Sequence, residues 1–355
     1  MPIPGWLLRR AFKAACERIT LMDRIPLPKL TASEISSIWA SYMADSMSIC
    51  GMRHFLAHLK DDRIQTIVEY ALQLALDHMQ KLSALMKLEG YPLPTGFTEQ
   101  DVNLEAPPLF SDNLILMYIG HMAKLGLTSY TLALTTSVRQ DVVDYYTDAI
   151  TTSLELHNRS QALGLEMGIY VRPPVIAVPD QAESVHDKAF LGSVLGHKRP
   201  LLGVEINHLF HNLKRNALGK ALILAFCQVS KSEDVKKFFK KGVRLSQKQI
   251  DVFTKTLQED SQPAPMLWDG EISSSVISPF SEKLMMFHVS ALIASAIGQY
   301  GASIAGSPRK DLVLEYTRLG AEIMQYAEEG ALLMIRKGWM EYPPQSVDRR
   351  KLTHT

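Results

Sequence analysis

An internal repeat constrains the fold of this chain more than any other feature. The segment 110–174 recurs as 280–344, and the offset of 170 residues holds without a gap through the whole segment. Further upstream, Glu34 and Glu205 match at an offset of 171. One unit of about 145 residues, which is the length of a domain, therefore occurs twice. Identical residues in register include Phe110 and Phe280, Tyr130 and Tyr300, Asp141 and Asp311, Tyr146 and Tyr316, and Pro174 and Pro344. Shared positions such as Tyr130 and Tyr300, and Asp141 and Asp311, are therefore predicted to determine the fold.

Each unit contains four long stretches in which apolar residues follow a helical period, so the sequence predicts an all-α fold. A proline-containing segment without a period separates the second stretch from the third. About 20 residues at up to about 3.3 Å each are enough to run the length of a helix of about 28 residues. We therefore expect the long crossover of a ferritin-like bundle in each copy. The predicted helices cover 31–60, 61–90, 111–140, 141–168, 202–231, 233–259, 281–308 and 309–338, with crossovers over 91–111 and 260–279.

The prolines and the ends of the repeat also predict the domain boundaries. The leader is rich in basic and apolar residues, and its pattern predicts a short amphipathic helix that either docks on the body or contacts a membrane surface weakly. Duplication often fuses what was a homodimer, so we expect the two bundles to pack about a pseudo-twofold axis. The predicted divisions are a leader over 1–29, a first bundle over 30–174, a linker over 175–200, a second bundle over 201–344 and a tail over 345–355.

Charge and cysteine content limit the setting and the partners. The chain has 38 basic and 37 acidic side chains, which argues against a general affinity for nucleic acid and leaves room for a local patch. Three widely spaced cysteines, Cys16, Cys50 and Cys227, favour a reducing, cytoplasmic setting. No stretch approaches the roughly 18 uninterrupted apolar residues of a membrane span. A protein partner or a homo-oligomer is compatible with this composition.

A basic stripe on the sixth predicted helix is the clearest local patch of charge. Its spacing of three and four residues is typical of a solvated helix face, while an acidic partner or nucleic acid is the alternative. The stripe consists of Lys236, Lys237, Lys240, Lys241, Arg244 and Lys248.

The first bundle contains one set of potential metal ligands. A di-iron bundle needs Glu-x-x-His on two helices. The second helix has Ala75 three residues before His78, the fourth has Leu154 three residues before His157, and the sixth and eighth helices contain no histidine. A weaker set remains on the inward stripes, one residue from each helix. Such a set would suit a single zinc, iron or manganese ion. Its members are Asp45, His78, His121 and His157.

The second copy provides an internal control for this set. The matching residues there are Asn216, Gln249, Ala291 and Ala327, none of which is a good metal ligand. This asymmetry is expected if one copy held a metal site and the other lost it, and equally if scattered polar residues drifted. The alternative to a metal site is a buried polar layer of hydrogen-bonded histidines. We favour the polar layer, so no cofactor is expected.

Several motifs resemble a known family of tandem proteins from Bacillus-type bacteria, the domain of unknown function 3231 family. The resemblance covers about residues 30–344. It implies a ferritin-like helical fold, an origin in an endospore-forming bacterium and a distant likeness to spore-coat proteins, and it transfers no catalytic residue. We therefore expect a non-catalytic structural or interaction protein, with a metal-binding or redox protein as the alternative. The motifs are Gly96–Asn103, Pro108–Asp112, Tyr170–Pro174, Asn216–Ala221, Pro263–Asp269 and Pro279–His288.

Overall fold

A computed structural model describes residues 27–193, 196 and 198–349. Within these residues the chain forms eight α-helices, four in each copy, and no β-strand. Each predicted helix is confirmed, with its ends within a few residues of the predicted ones. Predictions for the leader over 1–26 and for the tail over 350–355 lie outside the described residues. The helices are α1 (Ala32–Leu56), α2 (Asp62–Leu88), α3 (Asp112–Thr135), α4 (Gln140–Glu166), α5 (Gly203–Val229), α6 (Glu233–Glu259), α7 (Glu282–Gly306) and α8 (Lys310–Arg336).

Local signals in the sequence account for the helix ends. Thr31 and Glu34 form a reciprocal capping box at the start of α1, and the side chain of Ser111 caps α3. Helix α2 ends before Gly90, which adopts a φ of 67°, a left-handed conformation that glycine adopts without a steric penalty.

The crossover of the first copy runs the length of the bundle, as predicted. Helix α2 ends beside the α3–α4 turn, where Glu89 pairs with Arg139. Helix α3 begins at the opposite end, because the Asp112 carboxylate accepts hydrogen bonds from the amides of Lys60 and Asp61 in the α1–α2 turn, each at 2.9 Å. Residues 91–111 must therefore connect opposite ends of the bundle.

A buried ionic network closes the other end of each bundle. Glu34 accepts hydrogen bonds from the amides of Val138 and Arg139 at 2.9 and 2.8 Å, and the guanidinium of Arg139 binds Asp141. In the second copy, the amide of Arg309 donates to Glu205 at 3.1 Å, and its guanidinium binds Asp311. The prediction that Asp141 and Asp311 determine the fold is consistent with these contacts.

The two bundles pack about a pseudo-twofold axis, which confirms the expectation from the duplication. Val102 pairs with Phe280, and Phe110 pairs with Ile272, in two isolated antiparallel bridges. Because Ile272 and Phe280 are the counterparts of Val102 and Phe110, each bridge is the image of the other. Such reciprocal pairing is the mark of a twofold interface.

One hydrophobic cluster extends across both bundles, so the core does not stop at the axis. Phe55 contacts the ring of Phe280, and its counterpart Phe226 contacts the ring of Phe110. Among the described helices, α7 is long and apolar enough to cross a membrane by length and composition. It packs here against α5 and α8 and buries residues such as Met285.

Candidate functional site

A large cleft opens in the first bundle and continues between the two bundles. It has a volume of about 1700 Å³ and is lined mainly by apolar atoms of α1, α3, α5 and α7. That volume exceeds the roughly 300 to 1,000 Å³ of a typical small-molecule site. The corresponding interior of the second bundle, around Asn216 and Gln249, holds a cavity of about 60 Å³. The cleft is therefore a property of one copy and not of the fold.

Arg215 explains much of this difference between the copies. Its guanidinium lies between α5 and α7 and donates to the carbonyl of Ser295 at 3.1 Å and to the Asn212 side chain at 3.2 Å. The counterpart in the first bundle is Ala44, which is exposed on α1 and lines the cleft. Because a methyl group cannot bridge two helices, α1 and α3 pack less closely than α5 and α7.

Small residues widen the cleft along α1 and α7. Ala40 and Ala44 on α1, and Ala291, Ala294 and Gly298 on α7, all line it. A side chain added at Gly298 would meet no atom within 4 Å. These five residues are called the alanine rim below.

Positive charge is concentrated on a different part of the cleft wall. Lys124 on α3 and Lys214 and Arg215 on α5 line the cleft, together with His121 and His211. Lys214 contacts the carbonyl of Val171 and the ring of Tyr170. Within the part of the chain that the structure describes, no acidic side chain pairs with Lys124, Lys214 or Arg215. The five lining residues are called the basic cluster below.

The environment of the basic cluster disfavours positive charge. Burial and the charge of Lys124 lower the pKa of Lys214 to about 8, and burial lowers the pKa of Arg215 to about 10. Burial and the neighbouring cations lower the pKa of His121 to about 3 and that of His211 to about 4. At neutral pH both histidines are therefore uncharged, and the lysines and the arginine carry the positive charge.

The predicted metal ligands Asp45 and His78 are brought together in the same cleft. Asp45 Oδ2 lies 3.4 Å from His78 Nδ1, and both side chains are buried. Burial raises the pKa of Asp45, while the contact with His78 opposes that rise. The rings of Tyr130 and Tyr145 stand edge-on to the imidazole, each at 5.7 Å.

The second copy has a neutral network at the same level. The Asn216 amide donates to the hydroxyl of Tyr300 at 3.1 Å, and that hydroxyl donates to Gln249 Oε1 at 3.1 Å. These residues are the counterparts of Asp45, Tyr130 and His78. The second bundle therefore has a hydrogen-bonded neutral layer at this level, whereas in the first bundle Asp45 Oδ2 and His78 Nδ1 are buried without a hydrogen-bond partner among the described residues.

The other two predicted ligands have different surroundings. His121 belongs to the basic cluster, and its Nε2 is buried without a hydrogen-bond partner in the described part of the chain. His157 Nδ1 lies 3.4 Å from the carbonyl oxygen of Gly120. Across residues 27–193, 196 and 198–349, no three His, Cys, Asp or Glu side chains form a group that could hold a metal ion. A metal held by Asp45 and His78 stays a prediction, without support from His121 and His157 as further ligands.

A Glu-x-x-His spacing does occur in the second copy, at Glu205 and His208 in the first turn of α5. The Glu205 carboxylate is already held by Arg199 at 2.7 and 2.8 Å, and it accepts from the amide of Leu202 at 2.8 Å. This glutamate is therefore part of the ionic network that closes one end of the second bundle.

Half of the basic stripe on α6 forms ion pairs among the described residues, and Lys236 pairs with Glu233 on the same helix. Lys241 pairs with Glu329 at 2.6 Å, and Lys248 pairs with Glu322 at 2.7 Å, both across to α8. This agrees with a solvated helix face. The expected lack of affinity for nucleic acid stays a prediction.

The sequence reasoning did not single out Lys124, Lys214, Arg215 or His211. The signal was available in the repeat, because their counterparts are Ala294, Met43, Ala44 and Ala40. The same comparison had already singled out His121, whose counterpart is an alanine.

Comparison with known proteins identifies the family. The family model described as a protein of unknown function, DUF3231, matches residues 26–182 and again 189–352. No curated protein matches the chain. A crystal structure provisionally described as a spore coat protein of Bacillus halodurans C-125 aligns with 22% identity and a TM-score of 0.39, over 42% of this chain and 98% of that one. With two tandem matches that cover most of its length, the chain belongs to the DUF3231 family.

Proposed function

We propose that the protein is a non-catalytic binding protein that takes up a ligand in the cleft of its first bundle. The observation that carries this proposal is the difference between the copies, about 1700 Å³ of cleft against about 60 Å³ in the second bundle. Packing is close in protein interiors, and apolar walls that stay apart leave surface in contact with water that packing would bury. A copy that keeps such a space while its relative in the same chain fills it is best explained by a ligand.

The second bundle then acts as a scaffold and as one wall of the cleft. Its residues Lys214, Arg215 and Leu218 line the cleft from α5, and Ala291 and Ala294 line it from α7. The pairing about the pseudo-twofold axis fixes these residues against the first bundle. We propose that duplication supplied a filled copy for support and an open copy for binding.

We propose a cytoplasmic setting in an endospore-forming bacterium. Cys50 and Cys227 are free thiols, as expected for a reducing compartment. The family resemblance implies such a bacterium as the source.

Binding of a neutral apolar fluorophore, N-phenyl-1-naphthylamine, tests this function without regard to charge. We expect saturable binding at one site per chain. In the double variant Ala44→Phe with Ala294→Phe, binding should weaken about tenfold or more, because two phenylalanine rings occupy space on the alanine rim.

A matched control is Ala321→Phe, since Ala321 is exposed on α8 and does not line the cleft. This variant should bind the fluorophore like the parent. Equal binding by the parent and the double variant, or an absence of binding by the parent, would contradict the proposed function.

A further inference from the structure

The cleft combines an apolar part of its wall with a positively charged part. One part of its wall is the alanine rim, which is open and apolar. Another part carries Lys124, Lys214 and Arg215 without an acidic partner among the described residues. Lys124 is exposed, whereas Lys214 and Arg215 are partly buried. Burying an ammonium or a guanidinium group without a counter-charge is costly, so buried cations are normally paired. An anion that enters the cleft would remove this cost.

We propose that the cleft binds a single-chain amphiphile, with an anionic head group held by Lys124, Lys214 and Arg215 and an apolar chain along the alanine rim. This inference rests on the proposed function and names the chemical class of the ligand. Carboxylate and phosphate head groups share the chemistry that the three cations recognise.

Hydrogen-bond donors are available for such a head group. The guanidinium of Arg215 donates to two backbone carbonyl oxygens and to Asn212 Oδ1, which are all neutral acceptors. A carboxylate or phosphate would accept stronger, charge-assisted hydrogen bonds from the same group. Lys214 has a carbonyl contact at 3.5 Å and a tyrosine ring beneath its ammonium, and none of the acidic side chains that the structure describes pairs with it. Lys124 is exposed and is free to turn toward an incoming head group.

The leader of the same chain is another potential occupant of the cleft, and its charge argues against it. The leader contains Arg9, Arg10, Lys13 and Arg18 and would bring positive charge toward Lys124, Lys214 and Arg215. Like charges in a partly buried site repel one another, so the leader is a poor complement to this wall. An anionic amphiphile complements both the charge and the apolar rim.

Isothermal titration of the full chain with hexadecanoate and with hexadecan-1-ol, both below their aggregation limits, tests the head-group assignment. We expect one hexadecanoate per chain, bound about tenfold or more tightly than the alcohol, because the alcohol cannot accept charged hydrogen bonds. Hexadecyl phosphate forms a second arm. Tight binding of either anion supports the inference, and the stronger one identifies the preferred head group.

Variants test whether Lys124 and Lys214 cause the preference for hexadecanoate over hexadecan-1-ol. The double variant Lys124→Gln with Lys214→Gln should lose about tenfold in affinity for hexadecanoate and should bind hexadecan-1-ol like the parent. Lys255→Gln is the matched control, because Lys255 lies on α6 outside the cleft. It should leave both affinities unchanged.

Two failures would have different meanings. If the anion and the alcohol bind equally well and the double lysine variant changes neither, the anionic head group is wrong while uptake by the cleft stands. If neither compound binds and the neutral fluorophore also fails to bind, the proposed function itself is wrong.

Discussion

Tyr118 and His288 occupy equivalent positions in the two copies and contact each other at the pseudo-twofold axis. The Tyr118 hydroxyl and His288 Nε2 form a hydrogen bond of 3.2 Å, and the two positions are equivalent in the repeat. A symmetric homodimer would place two identical residues here. After duplication the two positions can differ, and a tyrosine and a histidine satisfy each other in a buried place where each would otherwise lack a partner.

The burial of His288 predicts a specific dependence of stability on pH. Burial lowers its pKa to about 4, and its neighbours Tyr118 and Phe226 offer no negative charge. Below about pH 6.5 His288 binds a proton in the unfolded chain, but in the native state it stays neutral until the pH approaches 4. The free energy of unfolding therefore falls as the pH drops from 6.5 toward 4. At pH 5 this histidine should account for about 2 kcal/mol of lost stability.

The variant His288→Gln isolates that contribution, because glutamine can hydrogen-bond to Tyr118 and does not titrate. Urea unfolding at pH 7 and pH 5 gives the free energy of unfolding of the parent and the variant. We expect the drop between the two pH values to be smaller by about 2 kcal/mol in the variant. An identical drop in both proteins would show that His288 takes up its proton freely in the native state.

Residue-level predictions from the sequence succeeded where both copies share a residue. Asp141 and Asp311 were proposed as fold determinants because they match, and each binds a buried arginine. The residue-level predictions were weaker at positions where the two copies differ. A helical period places Asp45 and His121 on inward stripes, but it does not say which neighbouring helix each side chain will meet.

At the scale of helices, the sequence predicted the number, the order and the approximate ends of the eight described helices. Apolar periodicity, caps such as Ser111 and stops such as Gly90 are local signals, so they can be read without a structure. The gap between α1 and α3 could not be predicted in this way. It depends on whether a side chain reaches across to the next helix, as Arg215 does in the second bundle and Ala44 cannot in the first.

The network at the α3–α4 turn predicts which ionic contacts hold the helices together. The side chain of Arg139 is 1% exposed and pairs with Glu89 and Asp141, which joins the ends of α2 and α4. Arg139→Met should therefore lower the free energy of unfolding by about 3 kcal/mol, because it leaves two carboxylates without their counter-charge. Urea unfolding at neutral pH measures the change.

Arg159 is the matched control for this prediction. Its side chain is 48% exposed and pairs with Glu155 one turn away on α4. Arg159→Met should cost about 0.5 kcal/mol, as is usual for an exposed ion pair. Equal losses in the two variants would mean that the Arg139 network does not stabilise the bundle end.

At the scale of the whole molecule, the two copies share a frame and differ in their interiors. The frame includes the bridges between the crossovers and the ionic network at each bundle end, and the repeat in the sequence was enough to predict the twofold arrangement. The interiors differ at positions such as Ala44 and Arg215. The binding proposal follows from that difference, because one fold supplies both a filled bundle and an open one.

A crystal structure of the full chain with 16-bromohexadecanoate tests the central claim most directly, because anomalous scattering locates the bromine. We predict one bromine peak per chain beside the alanine rim, near Ala44 or Ala294, and a carboxylate within hydrogen-bond distance of Lys214 or Arg215. A bromine peak on the outer surface of the helices, or a second copy of the chain seated in the cleft, would contradict the account.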